Sequence, residues 1–220
     1  MDFREAFYDA VIDGSTELAG VIKQQCIEQM HAHLPGQEEL WEKLTPTYNP
    51  GCKRVLISDD YYPALARDNV RLETRPISKI SESGIDVEGG EEEYDLIVCA
   101  TGFKTLEFMH PIELYGKGGR SLSDIWKTGA RAFKGVTVQD LPNFGILYGP
   151  NTNLGHNSII LMIEAQSRYI NALIAPILEA RMQGVTLGIS PKQGSIDKYN
   201  DLVQAVLRNS SFADPACNSW

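Results

Sequence analysis

The chain is short of positive charge. Lys and Arg total 20 against 29 Asp and Glu, a net charge of −9 at pH 7. That balance argues against non-specific binding to nucleic acid or to an anionic membrane, both of which require a basic surface. It leaves room for a local basic pocket around a phosphate. Long apolar runs are also missing, and none approaches the ~18 residues of a membrane span. The first residues, Met1-Asp2-Phe3-Arg4-Glu5, are acidic and mixed, unlike a secretory signal or a transit peptide. Cysteine is sparse: Cys26, Cys52, Cys99 and Cys217, with no CxxC pair and no histidine at zinc-ligand spacing. The expectation is reduced thiols in a cytoplasmic protein, with no disulfide framework, no metal site and no flavin disulfide-reductase chemistry. There is no internal repeat and no low-complexity segment.

What remains is the composition of a globular protein. Of 220 residues, 43% are hydrophobic and 22% charged. A chain of this length forms one or two domains and buries roughly 70% of its unfolded surface. Residues 1 to 44 read as helices, with Val21-Ile22, Cys26-Ile27 and Met30 at helical spacing and a stop at Leu34-Pro35-Gly36. Tyr48-Asn49-Pro50-Gly51 is turn chemistry. The run Val55-Leu56-Ile57 predicts a buried strand over 53–58, and Val70-Arg71-Leu72 a short one. The segments 77–80, 85–87 and 94–100 predict a small antiparallel meander, with Glu88-Gly89-Gly90-Glu91-Glu92-Glu93 as an acidic, solvated turn. Asn143 to Tyr148 predicts another buried strand. A long helix follows over about 158–182, kinked or split at Pro176, and a last helix over 191–208. Trp41 and Trp126 read as packing residues, and His31 and His33 have no acidic or thiol partner at a useful spacing.

Three segments carry chemistry. Leu96-Ile97-Val98-Cys99-Ala100 is continuously apolar, as in a parallel strand buried on both faces, and ends in Ala100-Thr101-Gly102. Small residues there admit a close backbone or cofactor approach, at the strand end where ligands of open α/β sheets sit. A tight turn is the plainer reading of that triplet. The strand ending at Gly149-Pro150 runs through a polar loop, Asn151 to Asn157, into the long helix. Amide groups at that helix N-terminus can bind an anion or an electron-rich ring carbonyl, such as the pyrimidine end of a flavin. Asn157 or Ser158 can also simply cap the helix. In Gly51-Cys52-Lys53-Arg54, two cations stand at the mouth of a predicted strand. Lysine suits a phosphate as a flexible point charge, and arginine offers a fixed fork of donors, while an ordinary solvated pair is the plainer reading of the two cations by themselves.

In this order, Gly51-Cys52-Lys53-Arg54, Asp60-Tyr61-Tyr62, Arg67-Asp68-Asn69-Val70, Ala100-Thr101-Gly102-Phe103, Gly149-Pro150-Asn151 and Gly155-His156-Asn157-Ser158 resemble the C-terminal half of flavin-dependent Baeyer–Villiger monooxygenases, within the flavin-containing monooxygenase group. The resemblance runs from Leu44 to Trp220. It implies an α/β fold: part of a doubly wound FAD/NAD(P)-binding fold with a small antiparallel meander and a helical N-terminal segment. Residues 1–48 then correspond to a helical, insertion-like segment, 49–75 to the end of a nicotinamide-binding domain, and 76–220 to the C-terminal part of an FAD-binding domain. The implied cofactors are FAD and NADPH, and the implied substrates a small-molecule ketone and O2, giving an ester or lactone, in secondary metabolism. By the same resemblance Lys53 approaches the 2′-phosphate of NADPH. Arg54 is the active-site cation that stabilises the negatively charged peroxyflavin, where anionic oxygen develops. Ala100, Thr101 and Gly102 match the linker between the two nucleotide domains, and Asn157 and Ser158 meet the isoalloxazine ring behind Gly149 and Pro150. Trp220 matches a Ser-Trp pair near the nicotinamide ribose.

The sequence departs from that family in two ways. It has neither of the two G-x-G-x-x-G/A fingerprints that hold dinucleotide pyrophosphates, and it lacks the Phe-x-Gly-x-x-x-His…Trp-Pro signature of Baeyer–Villiger members. Both ends of the parent architecture are therefore expected to be missing, leaving apolar sheet surface and strand edges uncovered. The chain reads as a fragment, as one half of a two-part enzyme with a separate N-terminal half, or as a relic. The alternative function is a non-catalytic homologue that binds a partner through its exposed sheet edges. A different nucleotide-binding α/β domain is the weaker third reading.

Overall fold

The computed structural model describes residues 8–10, 12–53, 56–105, 107–154 and 158–217. They fall into two compact units. The larger holds the described residues up to 20, those from 48 to 53, and those from 105 onward; the smaller holds 21–47 and 56–104.

In the smaller unit, most of helix α1 (Glu17–His33) leads into α2 (Glu38–Leu44). Leu34 and Met30 are buried. Trp41 locks the corner between the helices: its indole N–H donates to the Leu34 carbonyl at 2.9 Å and its ring stacks on His31, centroids 4.0 Å apart. Both residues thus serve packing, as their sequence setting suggests. The one-turn helix α3 (Tyr61–Leu65) precedes three strands, β1 (Ile77–Ile80), β2 (Gly84–Val87) and β3 (Gly90–Glu93), in one antiparallel sheet of order β1-β2-β3. Arg75 braces this sheet by pairing with Glu73 at 2.5 Å and Glu92 at 3.3 Å, while Arg71 pairs with Glu92 at 2.7 Å. The Arg75 guanidinium and backbone N–H hold the Glu73 carboxyl down at about 2.

The meander exists, but its third strand is not the one expected. Residues 90–93, read from the sequence as part of an acidic turn, pair with β2 in the register Gly84↔Glu93 to Val87↔Gly90, leaving only Glu88-Gly89 as the turn. The apolar run at 96–100 carries no regular structure, and Leu96, Val98 and Cys99 are exposed. Neither Leu56–Ile57 nor the 70–72 segment forms a strand. These are corrections with one physical cause. A strand is made by hydrogen bonds to its neighbours' backbone groups, and among the described residues no backbone ladder joins these segments to another.

The larger unit is built around Leu122, Ala132, Val138 and Leu141, with Met109, Leu114, Ile125, Trp126 and Phe144 packed on them. Helix α4 (Leu122–Ile125) starts at Ser121, whose hydroxyl accepts from the Asp124 N–H at 3.0 Å, a normal N-cap. The Trp126 indole donates to the Arg131 carbonyl at 2.9 Å, so this tryptophan too is a packing residue. Helix α5 (Ile159–Met182) runs unbroken through Pro176 rather than splitting there. It closes with Val185 N to Ala180 O at 2.8 Å and Gly184 N to Arg181 O at 3.0 Å, the Schellman pattern. Helix α6 (Gln193–Leu207) follows.

The predicted strand at 143–148 is a series of turns. Asn143 and Tyr148 have φ of +60° and +54°. Asn143 is held there by a clasp on the 187–189 segment: its amide side chain donates to Leu187 O at 2.9 Å and accepts from Ile189 N at 2.8 Å. Asparagine tolerates the left-handed region because its short side chain can bond nearby backbone in this way.

The cysteines bring a further correction. Cys52 and Cys217 are joined in a disulfide, with Cα atoms 5.7 Å apart, and both are buried. Their separation of 165 residues leaves no local motif. The pairing arises because the turn at 214–217 docks on the turn at 49–52, where Asn49 N–H reaches the Asp214 carboxylate at 3.4 Å. Cys26 and Cys99 remain free and exposed. Among the described residues no helix is long and apolar enough to cross a membrane, and no cluster of three or more His, Cys, Asp or Glu could hold a metal ion.

Closing so long a loop restricts the unfolded chain strongly. Cys52→Ser is expected to cost about 2–5 kcal/mol in a denaturant melt under non-reducing conditions. Dithiothreitol should bring the unsubstituted protein to the same midpoint; equal midpoints with and without reductant would show that the bond contributes nothing.

Candidate functional site

Lys53 belongs to the larger unit. It is exposed, it directly follows the disulfide-anchored Cys52, and its ammonium lies over the Tyr48 ring, 5.5 Å from the centroid. No ion pair to Lys53 exists among the described residues. The cation is thus held by an aromatic face beside a covalent anchor and remains open to an anionic ligand. Arg54, its predicted neighbour in function, lies outside the described residues, as do Asn157 and Trp220.

Gly149 and Pro150 are buried in the same unit, which explains the glycine in structural terms. A Cβ at Gly149 would stand 2.3 Å from the Gly135 carbonyl oxygen and 2.7 Å from an Ile146 methyl, while a Cβ at Gly135 would strike Thr152 at 2.0 Å. Two stretches of backbone cross here without side chains between them. Thr152 seals the crossing, its hydroxyl donating to Gly149 O at 2.7 Å. Tyr148 and Asn151, both with positive φ, flank the loop, and the Tyr148 hydroxyl donates to the Asn153 side chain at 2.5 Å.

Sequence reasoning missed the residue that ties this loop to the long helix. Gln166, on α5 and 4% exposed, accepts from the Tyr148 N–H at 2.8 Å, while its own amide nitrogen has no partner among the described residues. Among the several polar residues of this helix, a lone glutamine carries no spacing signal in the sequence. Its bond to the Tyr148 N–H ties the loop to the middle of the first half of α5.

The N-cap of α5 is Ser158, exposed, at φ −71° and ψ 120°, whose side chain makes no cap bond. No acidic side chain sits in the first turn. Ile160 and Leu161 stand exposed in this first turn.

Ala100, Thr101 and Gly102 belong to the smaller unit and are exposed. Gly102 adopts φ +77°, with open space where a side chain would project. The triplet is an accessible turn as it stands. A pocket lined by Ile125, Trp126, Thr128, Arg131, Gln139, Gln193 and Ile196 contains none of the residues given a chemical role from the sequence.

No family model matches the chain. Individual proteins do. The FAD-binding monooxygenase ktnD of Aspergillus niger is 53% identical over 220 residues, all of this chain and 36% of that protein. A Baeyer–Villiger monooxygenase of Pseudomonas aeruginosa is 38% identical over 202 residues, 91% of this chain and 37% of its own. Among solved structures, an oxidised steroid monooxygenase bound to NADP superposes with a TM-score of 0.81 at 25% identity, covering 99% of this chain and 44% of the other. The 220 residues thus span about a third of the length of the curated relatives they match.

The crossing at Gly149 gives a direct test of the scaffold. Gly149→Ala is expected to destabilise by about 1–3 kcal/mol or more through forced backbone movement. Gln166→Leu should cost about 1–3 kcal/mol by leaving the Tyr148 N–H unpaired. Urea melts of both variants check this, and unchanged midpoints would contradict it.

Proposed function

The chain is a homologue of FAD-binding and Baeyer–Villiger monooxygenases over about a third of their length, and we propose that it supplies the C-terminal portion of an FAD- and NADPH-dependent monooxygenase that inserts one oxygen atom of O2 into a ketone. The product is an ester or lactone, and the setting secondary metabolism. The single observation that carries this is the 53% identity to an FAD-binding monooxygenase along the whole chain.

The residues present fit one end of the flavin. The start of α5, with no acidic side chain in its first turn and with Ile160 and Leu161 exposed, suits a flat ring with an electron-rich edge. The open space at Gly102 suits close approach of a cofactor to the backbone. The 220 residues carry no Gly-rich turn for a pyrophosphate, so the adenosine end of FAD and most of NADPH rest on polypeptide beyond them, a covalently joined or separate N-terminal half. Bound FAD and NADPH supply the electrons by which O2 is activated for transfer to the ketone.

The chain's own contributions are electrostatic and positional. Lys53, fixed beside the disulfide and open to solvent, holds the 2′-phosphate of NADPH. Arg54 places a permanent cation where negative charge develops on oxygen. Ser158 and Asn157 present the helix N-terminus to the ring, with Gly149 and Pro150 setting the loop behind them. Ala100 and Thr101 lead into Gly102 at the junction of the two nucleotide domains, and Trp220 flanks the nicotinamide ribose. In this reading the segments 1–48, 49–75 and 76–220 are an insertion, the end of the nicotinamide domain and the remainder of the FAD domain. The protein acts in the cytoplasm.

The test is a chimera in which these 220 residues replace the matching third of the Aspergillus niger relative. It is expected to retain FAD, to oxidise NADPH faster when a ketone is added, and to yield the ester by mass spectrometry. Arg54→Ala should lower kcat by about 10²-fold or more, the scale of removing one charge-stabilising donor. Lys53→Ala should raise the KM for NADPH about tenfold, the equivalent of ~1.4 kcal/mol, with flavin retention unchanged. A folded, flavin-loaded chimera that consumes no NADPH with any ketone overturns the proposal.

A further inference from the structure

The Cys52–Cys217 bond is out of keeping with the other thiols of the chain. Cys26 and Cys99 are free and exposed, whereas a chain shaped by an oxidising compartment pairs its cysteines. Cys52 and Cys217 are joined because the fold brings them together, both buried. In the cytoplasm proposed above, dithiol systems keep cysteines reduced, and the disulfides that do form there are transient or redox-sensing.

The surroundings accommodate both oxidation states. The Cys52 sulfur lies 3.4 Å from the Cys217 carbonyl oxygen, within reach of a thiol S–H. A reduced, neutral Cys52 therefore has an acceptor in place, and no buried thiolate is required. The turns that carry the two sulfurs hold little else in common. The 214–217 turn is closed on itself: Cys217 N–H donates to Asp214 O at 2.9 Å, and Ala216 N–H to the Asp214 carboxylate at 2.9 Å. Besides the two sulfurs, the one hydrogen bond among the described residues that joins it to the 49–52 turn is Asn49 N–H to the Asp214 carboxylate, at a long 3.4 Å. The covalent bond is what clasps the two turns.

We propose that Cys52–Cys217 is a thiol–disulfide exchange site, with a protein dithiol of the thioredoxin class as reductant and a low-molecular-weight disulfide as oxidant, and that its state sets how firmly Lys53 is held. The consequence for NADPH rests on the role given to Lys53 above. The 214–217 turn opens, and a thiolate of the dithiol attacks the Cys217 sulfur. The bond to Cys52 breaks; Cys52 leaves with the electron pair and takes up a proton, and a mixed disulfide joins Cys217 to the reductant. The second thiolate of the dithiol attacks its own partner sulfur in that mixed disulfide and releases Cys217, which is protonated in turn. Two electrons and two protons pass to the chain, and the dithiol becomes a disulfide. Glutathione disulfide, reduced to two glutathione thiols, reverses the change by the same kind of exchange.

Lys53 reads this state because it directly follows Cys52, with its ammonium over the Tyr48 ring at the start of the same turn. With the bond closed, the turn is pinned and the cation is placed before a phosphate arrives, so less ordering remains to be done on binding. With the bond open, the turn keeps only its weak contacts with the 214–217 segment, and the cation loses its fixed place.

The experiment starts from the full chain with Cys26→Ser and Cys99→Ser, which leaves one pair of cysteines. It is treated without denaturant with excess reduced thioredoxin and then with glutathione disulfide, and at each stage free thiols are alkylated and counted by mass spectrometry. The expected result is no label, then two, then none, with unchanged helical circular dichroism. Amide exchange across 49–53 and 214–217 should be about tenfold faster in the dithiol form, with β1–β3 alike in both. If the double substitution does not fold, the unsubstituted chain gives the same reading as two labels, four and two. A bond that thioredoxin leaves intact, or that opens only with loss of helix, overturns the exchange site. Equal exchange across 49–53 in both forms overturns the coupling to Lys53. In the flavin-loaded chimera, the KM for NADPH should be about tenfold higher in the dithiol form, and Lys53→Ala should remove the difference. Equal KM in both forms also overturns the coupling. Reversible exchange in a chimera that oxidises no NADPH overturns the function proposed above and leaves the exchange site standing.

Discussion

A strand that is apolar on both faces is stable only with backbone partners along its edges and cover on both sides. The arrangement of this chain follows from whether that condition is met. Where partners exist within the described residues, as for β1, β2 and β3, a sheet forms in full register with one irregularity between Ile77 and Lys79. Where they do not, at 96–100, an apolar sequence as strong as any in the chain remains without structure and in solvent.

The larger unit does not share that dependence. Its core around Leu122, Val138 and Leu141 is closed by its own residues. The Gly135–Gly149 crossing, the Gln166 bond to Tyr148 and the Cys52–Cys217 disulfide lock together segments remote in sequence. Each lies beside a residue given a chemical role: Gly149 and Pro150 at the crossing, Ser158 on the helix that Gln166 positions, Lys53 after the disulfide. The scaffold holds this loop with strained backbone, Tyr148 and Asn151 both lying in the left-handed region.

Much of this was legible in the sequence, and the exceptions have causes. The long helices α5 and α6 and the first two meander strands came from local periodicity, which depends on residues near one another. Gly90–Glu93 was misread because three glutamates look like a solvated turn, although an edge strand facing water carries charge equally well. The strand at 143–148 failed because the clasp between Asn143 and the 187–189 segment is a long-range contact. The disulfide failed for the same reason, with its cysteines 165 residues apart. The segment at 96–100 was misread as a buried strand because its composition is continuously apolar, whereas strand formation also needs backbone partners, and the segment is exposed. Of the candidate site, Lys53, Ser158, Gly149 and the Ala100-Thr101-Gly102 turn fall on described, accessible or scaffold positions, whereas Arg54, Asn157 and Trp220 lie outside the described residues. Gln166 was invisible because a lone buried glutamine has no spacing signature.

The central claim is that these 220 residues hold one end of a flavin site whose other end lies in further polypeptide. It is tested most directly by titrating the purified chain with FAD and recording the visible spectrum after desalting. The account predicts a folded protein that keeps no stoichiometric flavin absorbance by itself. A near-stoichiometric flavin band retained by the chain alone would contradict it, because the pyrophosphate and adenosine would then be held without a Gly-rich unit.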